Sequence, residues 1–184
     1  GGELIPDNSG WELEYDVFDG RNWHYLYFGN EGVSVGASSN NITPYYNYSW
    51  NQVRYGAGVS YYDETNGDLY FRFNKYPTGN NYSEWSSPFR VDGAYSDAGQ
   101  SSSLAFGPDG KAYIAYYDYS DDRETGSLKL AVIGFDVSDN PVKPELLDII
   151  VVDEEVGYEE GQYVSLAIDQ SSRLHVAYYD ANNK

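Results

Sequence analysis

A tripeptide that recurs at long, similar intervals constrains this chain more than any other feature. Tyr-Tyr-Asp stands at Tyr61-Tyr62-Asp63, Tyr116-Tyr117-Asp118 and Tyr178-Tyr179-Asp180, 55 and 62 residues apart. The flanks repeat with it. Ser103-Leu104-Ala105-Phe106 and Ser165-Leu166-Ala167-Ile168 each place their leucine 12 positions ahead of the motif, and each follows a Gly-Gln pair, Gly99-Gln100 and Gly161-Gln162. Turn residues come between, Pro108-Asp109-Gly110 in one copy and Gln170-Ser171-Ser172 in the other. Past the motif, Gly67-Asp68-Leu69 matches Gly126-Ser127-Leu128, and a last run ends in Val-Asp at Val91-Asp92 and at Val152-Asp153. One repeat is therefore four short segments of alternating pattern, parted by Gly, Asp and Asn turns. That is the pattern of a four-stranded antiparallel unit. Leu146 to Val152 is too β-branched and too short for a helix.

Four strands at this period match a blade of a β-propeller, and the expected class is all-β. Residues 31–92 and 93–153 read as complete blades. Residues 10–30 enter the template halfway, with Leu13 to Val17 as a third strand and Trp23 to Phe28 as a fourth. Residues 154–184 supply strands one and two, ending with Leu174 to Asp180. The 184 residues thus form one domain of three blade equivalents. Rings hold typically ~4–8 blades, so the expected whole is a ring of about six to eight. The expected partner is another propeller half, either a second copy or a different chain.

The run Ser103 to Ala131, and Ser165 to Asp180 with His175, Val176 and Ala177, resembles a bacterial secreted repeat. Its form is S-L-A-x-D-x-x-G-x-x-H-[IV]-[AS]-Y-Y-D, followed by G-x-L-K-x-A, and it is similar to the NHL and BNR/Asp-box propeller families. The resemblance implies a propeller and leaves the activity open; the composition, rich in Tyr, Gly, Ser and Asn, points to an extracellular or periplasmic location. The chain departs from those families in two ways. The S-x-D-x-G-x-x-W box is not complete, and its six arginines do not assign to a sialidase triad.

Charge narrows the choice of partners. Eleven basic residues against 29 acidic ones give a formal charge of −18, a field that repels nucleic-acid phosphates and anionic lipid. No apolar run approaches the ~20 residues of a membrane span. Cysteine is absent, which removes disulfides, thiolate catalysis and Cys-ligated zinc. Gly1 to Pro6 carries neither a basic nor an apolar leader segment, so a processed form or an excerpt is expected.

Several groups are candidates for chemistry. The Tyr-Tyr-Asp motif reads mainly as structure: adjacent tyrosines face opposite sides of a strand, and the aspartate caps the following turn. His24 and His175 are the only histidines, too few in register for zinc; a half-buried strand position is expected for His175. A histidine–tyrosine acid/base pair of the lyase kind is the catalytic alternative. Asp118, Asp121 and Asp122 are the candidate metal ligands, and calcium is the cation that such oxygens select. The most individual segment interrupts the first repeat, where Tyr61 lies 19 positions after Ile42 instead of 12. It carries Tyr45, Tyr46, Tyr48 and Trp50 among Asn47, Ser49 and Asn51. Aromatic faces beside amides and hydroxyls suit sugar rings, and the same rings also suit packing at a blade or subunit contact. The expected function is a non-enzymatic extracellular binding or scaffold propeller that recognises glycan or a partner protein. The alternatives are a propeller glycoside hydrolase or polysaccharide lyase, and a structural segment of a surface assembly.

Overall fold

The computed structural model describes residues 14–18, 23–27, 35–47, 52–75, 85–119, 126–139, 142–157 and 163–180. No helix occurs among them. Among the described residues, thirteen strands form four antiparallel sheets. Strands β1 (Glu14–Phe18) and β2 (Trp23–Tyr27) form a hairpin. Strands β3 (Val35–Asn47), β4 (Gln52–Asp63), β5 (Asp68–Asn74) and β6 (Phe89–Asp92) form a sheet in chain order.

The next sheet holds β7 (Asp97–Ala98), β8 (Ser103–Phe106), β9 (Ala112–Tyr119), β10 (Gly126–Phe135) and β11 (Pro144–Val156). Strands β7 and β8 both pair with β9, at its two ends, so they share the first strand position. The interruption between them holds Gly99 and Ser101 at positive φ, 109° and 57°. Strands β12 (Val164–Ile168) and β13 (Leu174–Tyr178) form a second isolated hairpin. The succession is a hairpin, two sheets of four strand positions, and a hairpin. The sheets do not close into a ring or barrel among the described residues.

Register repeats as the sequence does. The second tyrosine of the motif stands opposite the leucine of Gly-x-Leu in both complete sheets, Tyr62 against Leu69 and Tyr117 against Leu128. Leu104 faces Ile114 and Leu166 faces Val176. The turns Gly107–Lys111 and Asp169–Arg173 close alike. Gly107 N–H bonds to Lys111 O at 2.9 Å, and Asp169 N–H bonds to Arg173 O at 3.0 Å. Each turn needs one left-handed residue, Gly110 at φ 78° in the first and Ser172 at φ 61° in the second. Glycine adopts that conformation freely, whereas serine does so at a small steric cost.

Alternation along each strand sends side chains to two separate cores. On β9, Ala112, Ile114 and Tyr116 face back to Leu69, Phe71 and Phe73 of β5, while Ala115, Tyr117 and Tyr119 face forward to the β12–β13 hairpin. The backward core also takes Leu104, Ala131, Ile133 and Val91, and Phe73 stacks on Phe135 with ring centroids 4.5 Å apart. The β3–β6 sheet therefore packs on the β7–β11 sheet, and that sheet on the β12–β13 hairpin; burial of these apolar side chains supplies the main stabilisation, ~1.5–3 kcal/mol each. The close approach of β4 to β8 requires glycine at position 58. A Cβ there would lie 2.6 Å from the Phe106 ring and 3.0 Å from that of Phe71.

Candidate functional site

The interrupted repeat becomes a long hairpin rather than an irregular loop. In the later copies the ladder turns immediately after Phe106↔Ala112 and Ile168↔Leu174. The corresponding pair in the first copy is Ile42↔Ala57, and there the ladder runs on through Pro44↔Tyr55, Tyr45↔Arg54 and Tyr46↔Val53 to Asn47↔Gln52. Strand β5 pairs with β4 only from Ala57 to Asp63. Beyond that point β3 and β4 form a two-stranded arm extending past the four-stranded sheet. Tyr45 and Tyr46 belong to the β3 side of this arm. Tyr48 and Trp50 lie outside the described residues. The sequence alignment places Ile42 in the role of Leu104; the register corrects this, because Asn40 faces Val59 as Leu104 faces Ile114.

The three Tyr-Tyr-Asp motifs sit at the seams between sheets, and their partners recur. The first tyrosine reaches back to the Val-Asp aspartate of the preceding repeat. Tyr116 Oη donates to Asp92 Oδ2 at 2.7 Å, and Tyr178 Oη donates to Asp153 Oδ2 at 2.7 Å. Tyr61 instead stacks on Tyr70, its partner across the ladder, at 5.6 Å. The second tyrosine reaches forward. Tyr62 donates to Asp97, which also accepts Gln100 Nε2 at 2.9 Å. Tyr117 Oη donates to Tyr179 O at 2.8 Å and accepts Tyr179 N–H at 3.1 Å. Desolvation is the main reason the Tyr116 hydroxyl holds its proton far beyond the ordinary tyrosine range, and the Asp92 carboxylate adds to it.

The aspartates diverge. Asp63 caps its turn as expected, accepting Thr65 N–H at 2.9 Å and Asn66 Nδ2 at 2.8 Å. Asp118 instead is ion-paired to Lys129 Nζ, which also lies 3.2 Å from Asp92 Oδ2. The cause is the residue opposite the first tyrosine, Tyr70 in one sheet and Lys129 in the next. Burial opposes the charge on Lys129, but its bonds to Asp118 and Asp92 outweigh it and raise the ammonium pKa. The second carboxylate oxygen of Asp118 is buried without a hydrogen-bond partner.

Of the candidate metal ligands, Asp118 is thus engaged by a lysine, while Asp121 and Asp122 lie outside the described residues. No group of three or more His, Asp or Glu side chains is placed to hold a metal ion among the described residues. No helix of the described residues is long and apolar enough to cross a membrane.

His175 departs from the half-buried position expected of it. Its side chain is 60% exposed and lies 3.3 Å from Asp169 Oδ2, because no further sheet among the described residues covers the outward face of β13. Asp169 also accepts Arg173 N–H at 3.0 Å and Arg173 Nε at 2.7 Å, which brings its pKa down to about 2. In the preceding copy Asp109 binds Lys111 Nζ at 2.8 Å and Tyr113 Oη at 2.9 Å. The carboxylate sits at different places in the two turns and holds equivalent cation and ring positions in both. The residues that sequence reasoning passed over are Asp92, Asp153, Asp97 and Lys129. Two of them had a visible signal, the Val-Asp pair 24 or 25 residues before the first tyrosine of the next motif. Comparison with protein-family models, with curated proteins and with solved structures gives no match for this chain.

Proposed function

We propose that the chain is part of a β-propeller that acts as a non-enzymatic extracellular binding module, taking glycan on the arm formed by β3 and β4. The blade reading is supported by two successive sheets of four strand positions, packed face to face, with the same Tyr–Asp latch at successive seams. The observation that carries the binding reading is the ladder from Thr43↔Gly56 to Asn47↔Gln52, which turns the one segment outside the repeat into an ordered two-stranded support. A rigid support lowers the entropy lost when aromatic side chains engage a sugar face. Tyr45, Tyr46, Tyr48 and Trp50 are the stacking residues in this reading. The acidic surface directs the module to neutral or basic glycans rather than sulfated or uronic ones.

The test is a glycan array and a reducing-sugar assay on the wild-type chain and on Trp50→Ala. Retention on neutral glycans, lost in the variant with an unchanged melting temperature, is the expected result. Binding unaffected by Trp50→Ala, with stability lowered by ~3–5 kcal/mol, would assign the ring to packing. Release of reducing ends would establish the enzyme alternative, and absorbance of an unsaturated end at ~235 nm would mark a lyase rather than a hydrolase.

A further inference from the structure

We propose that the outer edge of β11 is a docking site for an extended segment of a partner protein in which basic and apolar residues alternate. Strand β11 spans 13 residues and pairs only with β10 among the described residues. Its counterpart in the first sheet, β6, spans four residues and buries Val91 in the core between the sheets. Along β11 only Val156 is buried. Leu146, Leu147, Ile150, Val151 and Val152 are 37–48% exposed, and they are half of the ten large apolar side chains exposed among the described residues. A strand edge lined with exposed apolar side chains is a template for one more strand.

The register with β10 sorts β11 into two unlike faces. Ala131 and Ile133 lie in the core behind the sheet. Opposite Lys129, Ala131 and Ile133, on that same face, stand Val151, Ile149 and Leu146. This face of β11 is apolar. Leu130 lies in the core on the other side of the sheet, and on its face Ile150, Asp148 and Glu145 stand opposite Leu130, Val132 and Gly134. This second face is acidic. The ladder runs without irregularity from Val151 to Asp148, which leaves a regular section for a further strand. Side chains of neighbouring strands meet on the same face. The occupant therefore sets lysine or arginine beside Glu145 and Asp148, and apolar residues beside Leu146, Ile149 and Val151. Backbone hydrogen bonds hold such an added strand, and its alternate side chains select it.

Charge decides which strand fits. Strand β11 carries Glu145, Asp148, Asp153, Glu154 and Glu155, and neither lysine nor arginine. A second β11 would bring the same carboxylates to the edge, and like charges across a ladder repel. The register irregularities on either side of the regular section act in the same direction, since bulges blunt an edge against its own kind. The complementary strand is not among the 184 residues either, because no two of their 11 basic residues stand two positions apart. The occupant is therefore a segment of another protein. The formal charge of −18 favours its approach, and added salt weakens that attraction.

The probe is a fluorescein-labelled peptide of about eight residues that alternates lysine and valine, long enough for one strand. Two peptides serve as controls, one with the same composition in two blocks and one that alternates glutamate and valine. Fluorescence anisotropy with the whole chain measures binding, and hydrogen exchange read by mass spectrometry locates it. The alternating lysine peptide is expected to bind at least about tenfold more tightly than the block peptide. It is also expected to slow exchange at Asp148–Val151 and to leave Ala112–Tyr119 unchanged. Glu145→Lys/Asp148→Lys is expected to reverse the preference in favour of the glutamate peptide. Asp148→Asn, a milder change at an exposed position, is expected to weaken the lysine peptide without that reversal, and it guards against a folding defect in the double variant. Equal binding of alternating and block peptides would reduce the effect to net charge and overturn the proposal. So would binding that leaves exchange on β11 unchanged, or no binding of the lysine peptide. Protection of β11 that rises with chain concentration in the absence of peptide would assign the edge to a second copy and overturn the choice of partner.

Discussion

The seam behind Tyr116 and the seam behind Tyr178 are built from the same words and end in different physical states. Each first tyrosine donates to a Val-Asp carboxylate at 2.7 Å. Tyr116 does so inside the main core, beside Leu69 and Ile114, with Lys129 closing the network from the side. Tyr178, itself 39% exposed, does so in water-accessible surroundings, bonded to the partly exposed carboxylate of Asp153. A hydrogen bond gains strength when its surroundings exclude water, and losing it there leaves a desolvated group behind. Identical motifs therefore contribute differently, and the difference comes from the strands and sheets beside them.

The largest expected contrast follows from removing the rings. In dilute solution, Tyr116→Ala is expected to destabilise by ~3–5 kcal/mol, the range for a buried aromatic. Tyr178→Ala is expected to cost about 1 kcal/mol or less. Denaturant melts of both variants measure this, and equal losses would erase the distinction between the seams.

The next contrast concerns the lysine that only one seam possesses. Lys129→Met leaves Asp92 and Asp118 facing each other without their cation. The expected loss is about 2 kcal/mol, below the ~3–5 kcal/mol of a fully buried pair because the lysine keeps part of its side chain in water. At the β4–β5 seam Tyr70 holds that position, and Tyr70→Met is expected to cost less, about 1 kcal/mol, for the lost ring stacking on Tyr61. A larger loss at Tyr70 than at Lys129 would show that the ion network is dispensable.

Removing only the hydroxyls isolates the latch. Tyr116→Phe is expected to cost ~1–2 kcal/mol and Tyr178→Phe a few tenths. Thermal melts at matched protein concentration distinguish them.

The smallest contrast lies in pH. The bond to Asp153, followed by desolvation, raises the Tyr178 pKa to about 12. A raised folded-state pKa favours the protonated form, so this contribution is complete below the unfolded value near ~10 and fades as pH climbs to about 12. Asp169 behaves oppositely. Its pKa of about 2 is held down by the Arg173 N–H and guanidinium, so its contribution is present above the ordinary value of 3.8 and is lost as pH falls toward 2. Tyrosinate absorbance is expected to show a group near pH 12 that Tyr178→Phe removes. In Asp169→Asn, the acid-limb loss of stability is expected to be shallower. A Tyr178 that titrates at the ordinary value would place its hydroxyl in free water.

Much of this arrangement is readable in the residues. The Gly-x-Leu and Ser-Leu-Ala runs set strand order and register because the same alternation must face the same cores each time, as Tyr62↔Leu69 and Tyr117↔Leu128 do. Strand length was harder to read. Pro44 and the polar run around it suggest a loop, yet the ladder extends through Asn47, since cross-strand pairing overrides local preference. The fate of Asp118 was hidden as well. Nothing within its own motif separates it from Asp63, and the deciding residue, Lys129, lies on the neighbouring strand. His175 was misjudged for a similar reason, because exposure depends on whether a further sheet lies outside β13.

The difference between the two seams lies in burial, so the strands that carry them must differ in protection. Hydrogen exchange read by mass spectrometry measures this directly. Ala112–Tyr119, buried and paired with β8 and β10, is expected to stay protected while Leu174–Tyr178 exchanges early. Protection of β13 equal to that of β9 would contradict the contrast.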